Sequence, residues 1–117
     1  MKIGREHRFF CAGVAADITG DPYAYCLDNT RHKYRVKIGF KVALYLATVS
    51  LDQKHYIVSD LFGVSRATVS KYVQSIEDLR GDYRQFSEKL FSGERRVQAE
   101  FAGRESISTN MPGENTA

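Results

Sequence analysis

Two apolar helical stripes separated by a glycine constrain this chain more than any other feature in it. They lie in H-Y-I-V-S-D-L-F-G-V-S-R-A-T-V-S-K-Y-V-Q, residues 55–74. In the first half, Val58, Leu61 and Phe62 stand at i, i+3 and i+4, one face of a short helix. Gly63 follows directly, where a helix stop needs a residue that accepts positive φ. Val64 then plugs the turn and Ser65 has the side chain of an N-cap. Val69, Tyr72, Val73 and Ile76 form the inward stripe of a second helix. The spacing predicts a helix-turn-helix over 55–74. The second helix leaves a short polar face outside: Arg66, Ala67, Ser70, Lys71 and Gln74. Such a face approaches base edges without bulk, and Arg and Gln make two-pronged contacts there. An αα-hairpin packed in a helical core shares the pattern. The glycine stop, apolar plug, serine cap and small outer face together favour duplex DNA as the partner.

Charge points the same way. Residues 31–71 hold eight bases (Arg31, Lys33, Arg35, Lys37, Lys41, Lys54, Arg66, Lys71) against two acids (Asp52, Asp60), a net +6. The remainder has nine bases and twelve acids, a net −3. A field concentrated in this way is the footprint of a phosphate-binding surface, although a solvated charged face also produces it. Arg31, Lys33, Arg35, Lys37, Lys54 and Lys71 are the candidates for backbone contact.

The rest of the chain reads as helices around that pair. Arg5 to Thr19 is helical, with Phe9, Phe10, Val14 and Ile18 as its strip and Gly20 as its stop. Asp21 and Pro22 are the expected N-cap and first helical residue of a short helix, Tyr23 to Leu27. Asp28 to Lys37 is polar and basic, an arm for the DNA backbone or a minor groove. Its alternation also fits a short strand, for which the chain offers no partner. Ile38 to Ser50 is the most apolar segment and the expected core helix, with Asp52 as cap for its successor. The second helix of the pair is expected to continue to Arg80 and stop at Gly81. Asp82 then caps a final helix with Tyr83, Phe86, Leu90 and Phe91 on one face, which Gly93 ends or weakens. In Glu94 to Phe101, Val97 and Phe101 are four apart and can dock on the domain or a partner. The composition therefore predicts one all-α domain over 1–101 and a disordered tail over 102–117.

Catalytic and metal chemistry find no foothold. His7, His32 and His55 share no ligand spacing, and Cys11 and Cys26 form no C-x-x-C. Without a secretion signal, buried or free thiols are expected rather than a disulfide. Glu77, Asp78 and Asp82 read as a solvated helix end, and Ser59, Ser65 and Ser70 as caps or exposed positions. No run reaches membrane-spanning length. The expectation is a soluble, cytoplasmic, nucleoid-associated protein that is not an enzyme and carries no cofactor and no metal.

Read together, K-V-A-L-Y-L-A (41–47), F-G-V-S-R-A-T-V (62–69) and I-E-D-L-R (76–80) give this chain a known look. It resembles the C-terminal DNA-binding domain of the bacterial replication initiator DnaA, above all the small stand-alone bacterial regulators built from that domain. The resemblance covers roughly Phe9 to Leu90. It implies a small helical bundle of the helix-turn-helix class, the fold shared by TrpR and the DnaA C-terminal domain. By position it places major-groove readers on Ser65, Arg66 and Ala67, a further contact on Thr68, and a minor-groove loop on Arg31, Lys33 and Arg35. The family's Arg and Asp at the turn tip are Val64 and Ser65 here, and no G-x-x-x-x-G-K-[ST] of an ATPase is present. The function expected is sequence-specific binding of double-stranded DNA in transcription regulation. Other transcription components, or a second copy, could meet the C-terminal helix. The alternatives are a DNA end-binding module of a transposase or recombinase, or a helical protein-interaction module.

Overall fold

The structure, a computed structural model, describes residues 3–28 and 36–109. All regular structure among them is helical: α1 (Arg5–Thr19), α2 (Tyr23–Leu27), α3 (Ile38–Tyr45), α4 (His55–Phe62), α5 (Arg66–Asp82) and α6 (Arg84–Thr109). A π-helical segment, Leu46–Ser50, continues α3 without a break. There Leu51 N–H donates to the Leu46 carbonyl at 3.1 Å and Gln53 N–H to the Thr48 carbonyl at 2.9 Å, each five residues back.

A helix that is apolar on every side has to be surrounded. Phe40, Val42, Ala43, Leu44, Tyr45, Leu46 and Ala47 are all 0% exposed. Each large side chain among them contributes about 1.5–3 kcal/mol on burial. α1, α2 and α5 pack against α3, and α1, α4 and α6 against its π-helical continuation. The start of α3 is fixed from a distance: the Asp21 carboxylate accepts the Gly39 N–H at 2.8 Å, because Lys37 at the N-cap position supplies no oxygen.

Two charged side chains lock the shell onto this core. Arg8, on α1, donates to the Leu27 carbonyl at the end of α2 and to the Leu61 carbonyl in the last turn of α4, at 2.5 and 3.1 Å. Its guanidinium lies 5.5 Å from the centre of the Phe62 ring. Helix C-terminal carbonyls lack intrahelical donors and carry partial negative charge, so one cation serves two helix ends. On the far side, Arg80 of α5 donates to Glu94 of α6 at 2.8 Å and to the Tyr45 hydroxyl at 2.9 Å. Ser50 donates to the other Glu94 oxygen at 3.1 Å, and Gln98 donates to the Ser50 carbonyl at 3.2 Å. Burial works against the Arg80 charge, but its bonds to Glu94 and Tyr45 outweigh that and hold the guanidinium above its ordinary pKa. Burial likewise pushes the Tyr45 phenol up, against the opposing effect of Arg80.

Several local expectations shift in three dimensions. The buried stripe of α1 is His7, Cys11, Val14 and Ile18; Phe9 points the opposite way and stays 43% exposed. Pro22 is the N-cap of α2, since Asp21 is engaged by α3. Asp52 caps nothing; it takes φ 52° in the turn before α4, whose N-cap is Lys54. Gly81 lies inside α5, whose C-cap is Tyr83, so Asp82 is the last residue of α5 rather than a cap for α6. Gly93 does not interrupt α6 either. A Cβ there would sit 2.6 Å from Ile18 and 2.9 Å from Val14, so this glycine serves the close approach of α6 to α1. Because α6 is continuous, its buried stripe is Leu90, Glu94, Val97 and Phe101, while Tyr83 and Phe91 face out. Phe101 stacks on His7 with ring centres 4.1 Å apart, and the helix runs through the expected domain edge at 102 to Thr109. Both cysteines are free and buried, with burial pushing the Cys11 thiol up to about 12 and, joined by the Asp21 charge, the Cys26 thiol up to about 11. No helix of the described residues is long and apolar enough to cross a membrane.

Arg80→Ala removes the cationic donor of Glu94 and of the Tyr45 hydroxyl and leaves the Ser50 hydroxyl as donor to the buried carboxylate. The expected loss is about 3 kcal/mol. In denaturant melts, Arg80→Ala/Glu94→Ala should cost clearly less than the two single substitutions combined; simple additivity would contradict the network.

Candidate nucleic-acid interface

The candidate site begins at the turn between α4 and α5. Gly63 takes φ 70° and ψ 34°, the left-handed conformation. The Gly63 and Val64 N–H groups both donate to the Ser59 carbonyl, at 3.0 and 3.1 Å, and the Ser59 hydroxyl donates to the Val64 carbonyl. The bond from Val64 is the six-to-one closure of a Schellman stop. Two residues later Ser65 opens α5, its hydroxyl accepting the Thr68 N–H at 3.1 Å and pairing with the Thr68 hydroxyl at 2.9 Å. The chain therefore stops one helix and starts another within three residues, each change of direction held by a serine.

Packing then decides which side of α5 faces outward. Val69 and Ile76 are 0% exposed, and Tyr72 and Val73 are half-buried beside them. Phe40 meets Phe62 and Tyr72 edge to face, at 5.8 and 6.3 Å between centres. Ser65, Arg66, Ala67, Ser70, Lys71 and Gln74 are thereby left exposed. No acid occurs in 65–74; the acids of α5, Glu77, Asp78 and Asp82, all come later. The basic half is also the N-terminal half, where the helix dipole adds partial positive charge.

Other elements flank this face. From the first turn of α4, the Tyr56 ring centre lies 5.5 Å from the Arg66 guanidinium carbon, and His55 Nδ1 lies 3.2 Å from Ser70 Oγ. On the other flank, Lys41 of α3 places its ammonium 5.2 Å from the centre of the Tyr72 ring. Lys54 and Lys37 stand at the N-caps of α4 and α3, the first exposed and the second half-buried.

The expected site residues thus divide. Ser65, Arg66, Ala67, Ser70, Lys71 and Gln74 share one exposed face, though the Gln74 amide donates to Asp78 at 3.0 Å. Thr68 is half-buried and its hydroxyl is held by the cap, so its first duty is to the helix start. Arg31, Lys33 and Arg35 lie outside the described residues. His55, Tyr56 and Lys41 join the face without having been named as candidate site residues. Lys41 entered through the charge count and the start of K-V-A-L-Y-L-A; His55 and Tyr56 open the 55–74 stretch but carry no signal of their own until the turn folds their helix back along α5. Among the described residues no group of three or more His, Cys, Asp or Glu is placed to hold a metal ion.

Comparison with protein-family models, with curated proteins and with solved structures finds no match. The resemblance to the DnaA C-terminal domain rests on the quoted motifs alone.

Gly63→Val tests the turn. A Cβ at Gly63 meets open space, so the cost is one of backbone conformation only. A β-branched residue at this φ should lower stability by about 1–2 kcal/mol or more in thermal melts. An unchanged melting temperature would contradict the left-handed stop.

Proposed function

We propose that this protein binds double-stranded DNA in a sequence-specific manner, as a helix-turn-helix regulator of transcription. In this reading α4 and α5 are the two helices of the motif and the first half of α5 enters the major groove. The observation that carries the reading is the exposed, acid-free face of α5 set opposite a fully buried Val69 and Ile76. Residues 66–74 extend about 12 Å along the helix axis at the usual rise, comparable with the ~12 Å width of the major groove. Ala67 and Ser70 keep the centre of the face low, so the helix can approach base edges while Arg66, Lys71 and Gln74 reach past them. Lys37, Lys54 and the arm carrying Arg31, Lys33 and Arg35 lie on phosphates or in the adjacent minor groove. The protein then acts at the nucleoid, with no chemistry of its own.

Arg66 is the residue on which the reading turns. It stands at the first position of α5, exposed and off the buried stripe. Its best partner is guanine, through O6 and N7 together, a pair that discriminates by about 1–3 kcal/mol. Arg66→Ala is expected to fold normally and keep non-specific affinity. It should lose roughly ten- to a hundred-fold on the specific site, concentrated at one base pair. Competition between the selected site and its single-base variants measures this; equal losses on every sequence would reduce Arg66 to a phosphate contact. Neutralising Lys37, Lys54 or the pair Arg31 and Lys33 should instead weaken all sequences alike. It should also flatten the dependence of log K on log salt by about one unit per contact.

A further inference from the structure

The first turn of α4 touches the outer face of α5 twice. Tyr56 lies under the Arg66 guanidinium at 5.5 Å, and His55 meets Ser70 at 3.2 Å. Arg66 and Ser70 are four residues apart and so stand one above the other on the same flank of the helix. All four side chains are exposed, Tyr56 by 46%, so neither contact is a by-product of core packing. The Schellman stop at Gly63 fixes where α4 lies along α5, and with it where the Tyr56 ring stands.

An exposed arginine samples many rotamers, and ordering it on binding costs entropy. An aromatic face beneath the guanidinium removes part of that freedom beforehand, because the ring quadrupole attracts the cation. The planar guanidinium stacks by its face and keeps its N–H edge for hydrogen bonds. A leucine of similar reach would offer neither the quadrupole nor the flat surface.

Resting on the reading of α5 as a DNA reader, we propose that Tyr56 is a positioning residue for base recognition. Its ring holds the Arg66 guanidinium on the α4 flank of α5, with the N–H edge free for O6 and N7 of a guanine. Tyr56 therefore sets the sharpness of the preference at that base pair without touching the base itself. Ser70, held by His55, closes the same flank, so Arg66 is presented over a narrow range of directions.

Tyr56→Leu and Tyr56→Phe in the full chain separate the possibilities. In the free protein the Arg66 Nε–Hε resonance should be shifted by the ring, move toward its random-coil position in Tyr56→Leu, and stay put in Tyr56→Phe. On duplexes, Tyr56→Leu should keep its melting temperature and its non-specific affinity. It should lose about three- to ten-fold of the discrimination at the base pair that Arg66→Ala abolishes, while Tyr56→Phe retains it. Full discrimination in Tyr56→Leu would overturn the proposal and leave the role of Arg66 intact. Equal losses in the Leu and Phe variants, or losses shared by all sequences, would make the hydroxyl a phosphate contact and also overturn it. A wild-type protein with no preference among duplexes would remove the DNA reading itself.

Discussion

The burial of α3 is the constraint on which the rest of the structure depends. Between Phe40 and Ala47 the only side chain that is not fully buried is that of Lys41, which is half-buried. A segment like this cannot lie on a surface, so every other helix is obliged to turn an apolar face toward it or its continuation. For α5 that face is Val69, Tyr72, Val73 and Ile76. Once those four point inward, helix geometry leaves Arg66, Ala67, Ser70, Lys71 and Gln74 no direction but outward. The candidate site is therefore a consequence of the core, and its flatness follows from the small residues at 67 and 70.

Polar contacts then supply what apolar packing leaves undefined, which is the exact setting of one helix against the next. Arg8 ties the ends of α2 and α4 to α1, so the helix that carries Tyr56 is anchored at its far end. Arg80 and Glu94 tie the C-terminal half of α5 to α6 and, through Tyr45 and Ser50, to the central helix. Buried pairs of this kind add little net stability compared with apolar substitutes, but removing one partner is costly. The consequence for α5 is an asymmetry. Its C-terminal half is bound into the bundle by the Arg80 network, and its N-terminal half is held by the Ser65 cap, the Gly63 turn, one apolar stripe and the exposed contacts of Tyr56 and His55. The half that is free to meet a ligand is also the half without acids.

Most of the helix pattern could be read in the chain, because it rests on local signals. Gly20 and Gly63 end helices at positive φ, and Ser65 caps α5 through the Thr68 N–H, as their residue types suggest. What escaped was decided by partners distant in sequence. Asp21 looks like a cap for the helix beside it and serves instead the helix eighteen residues on. Gly93 looks like a stop and is a point of contact between α6 and α1. That misreading shifts the expected face of the last helix, exchanging Tyr83 and Phe91 for Glu94, while Val97 and Phe101 dock on the domain, one of the two places expected for them. Within the candidate site, the outer face of α5 was legible from periodicity. Tyr56 and His55 were not, since nothing in a tyrosine after a histidine says that both will lie alongside a helix ten residues further on.

The central claim is that duplex DNA meets the protein on the exposed face of α5 and its α4 flank. Titrating the isotope-labelled protein with a short duplex of mixed sequence at low salt, and following its backbone amide resonances, tests this directly. The account predicts shifts concentrated at residues 54–56 and 65–74, reversed by added salt as expected for phosphate contacts. Amides that do not move on adding duplex, or shifts that gather along the outer faces of α1 and α6, would contradict it.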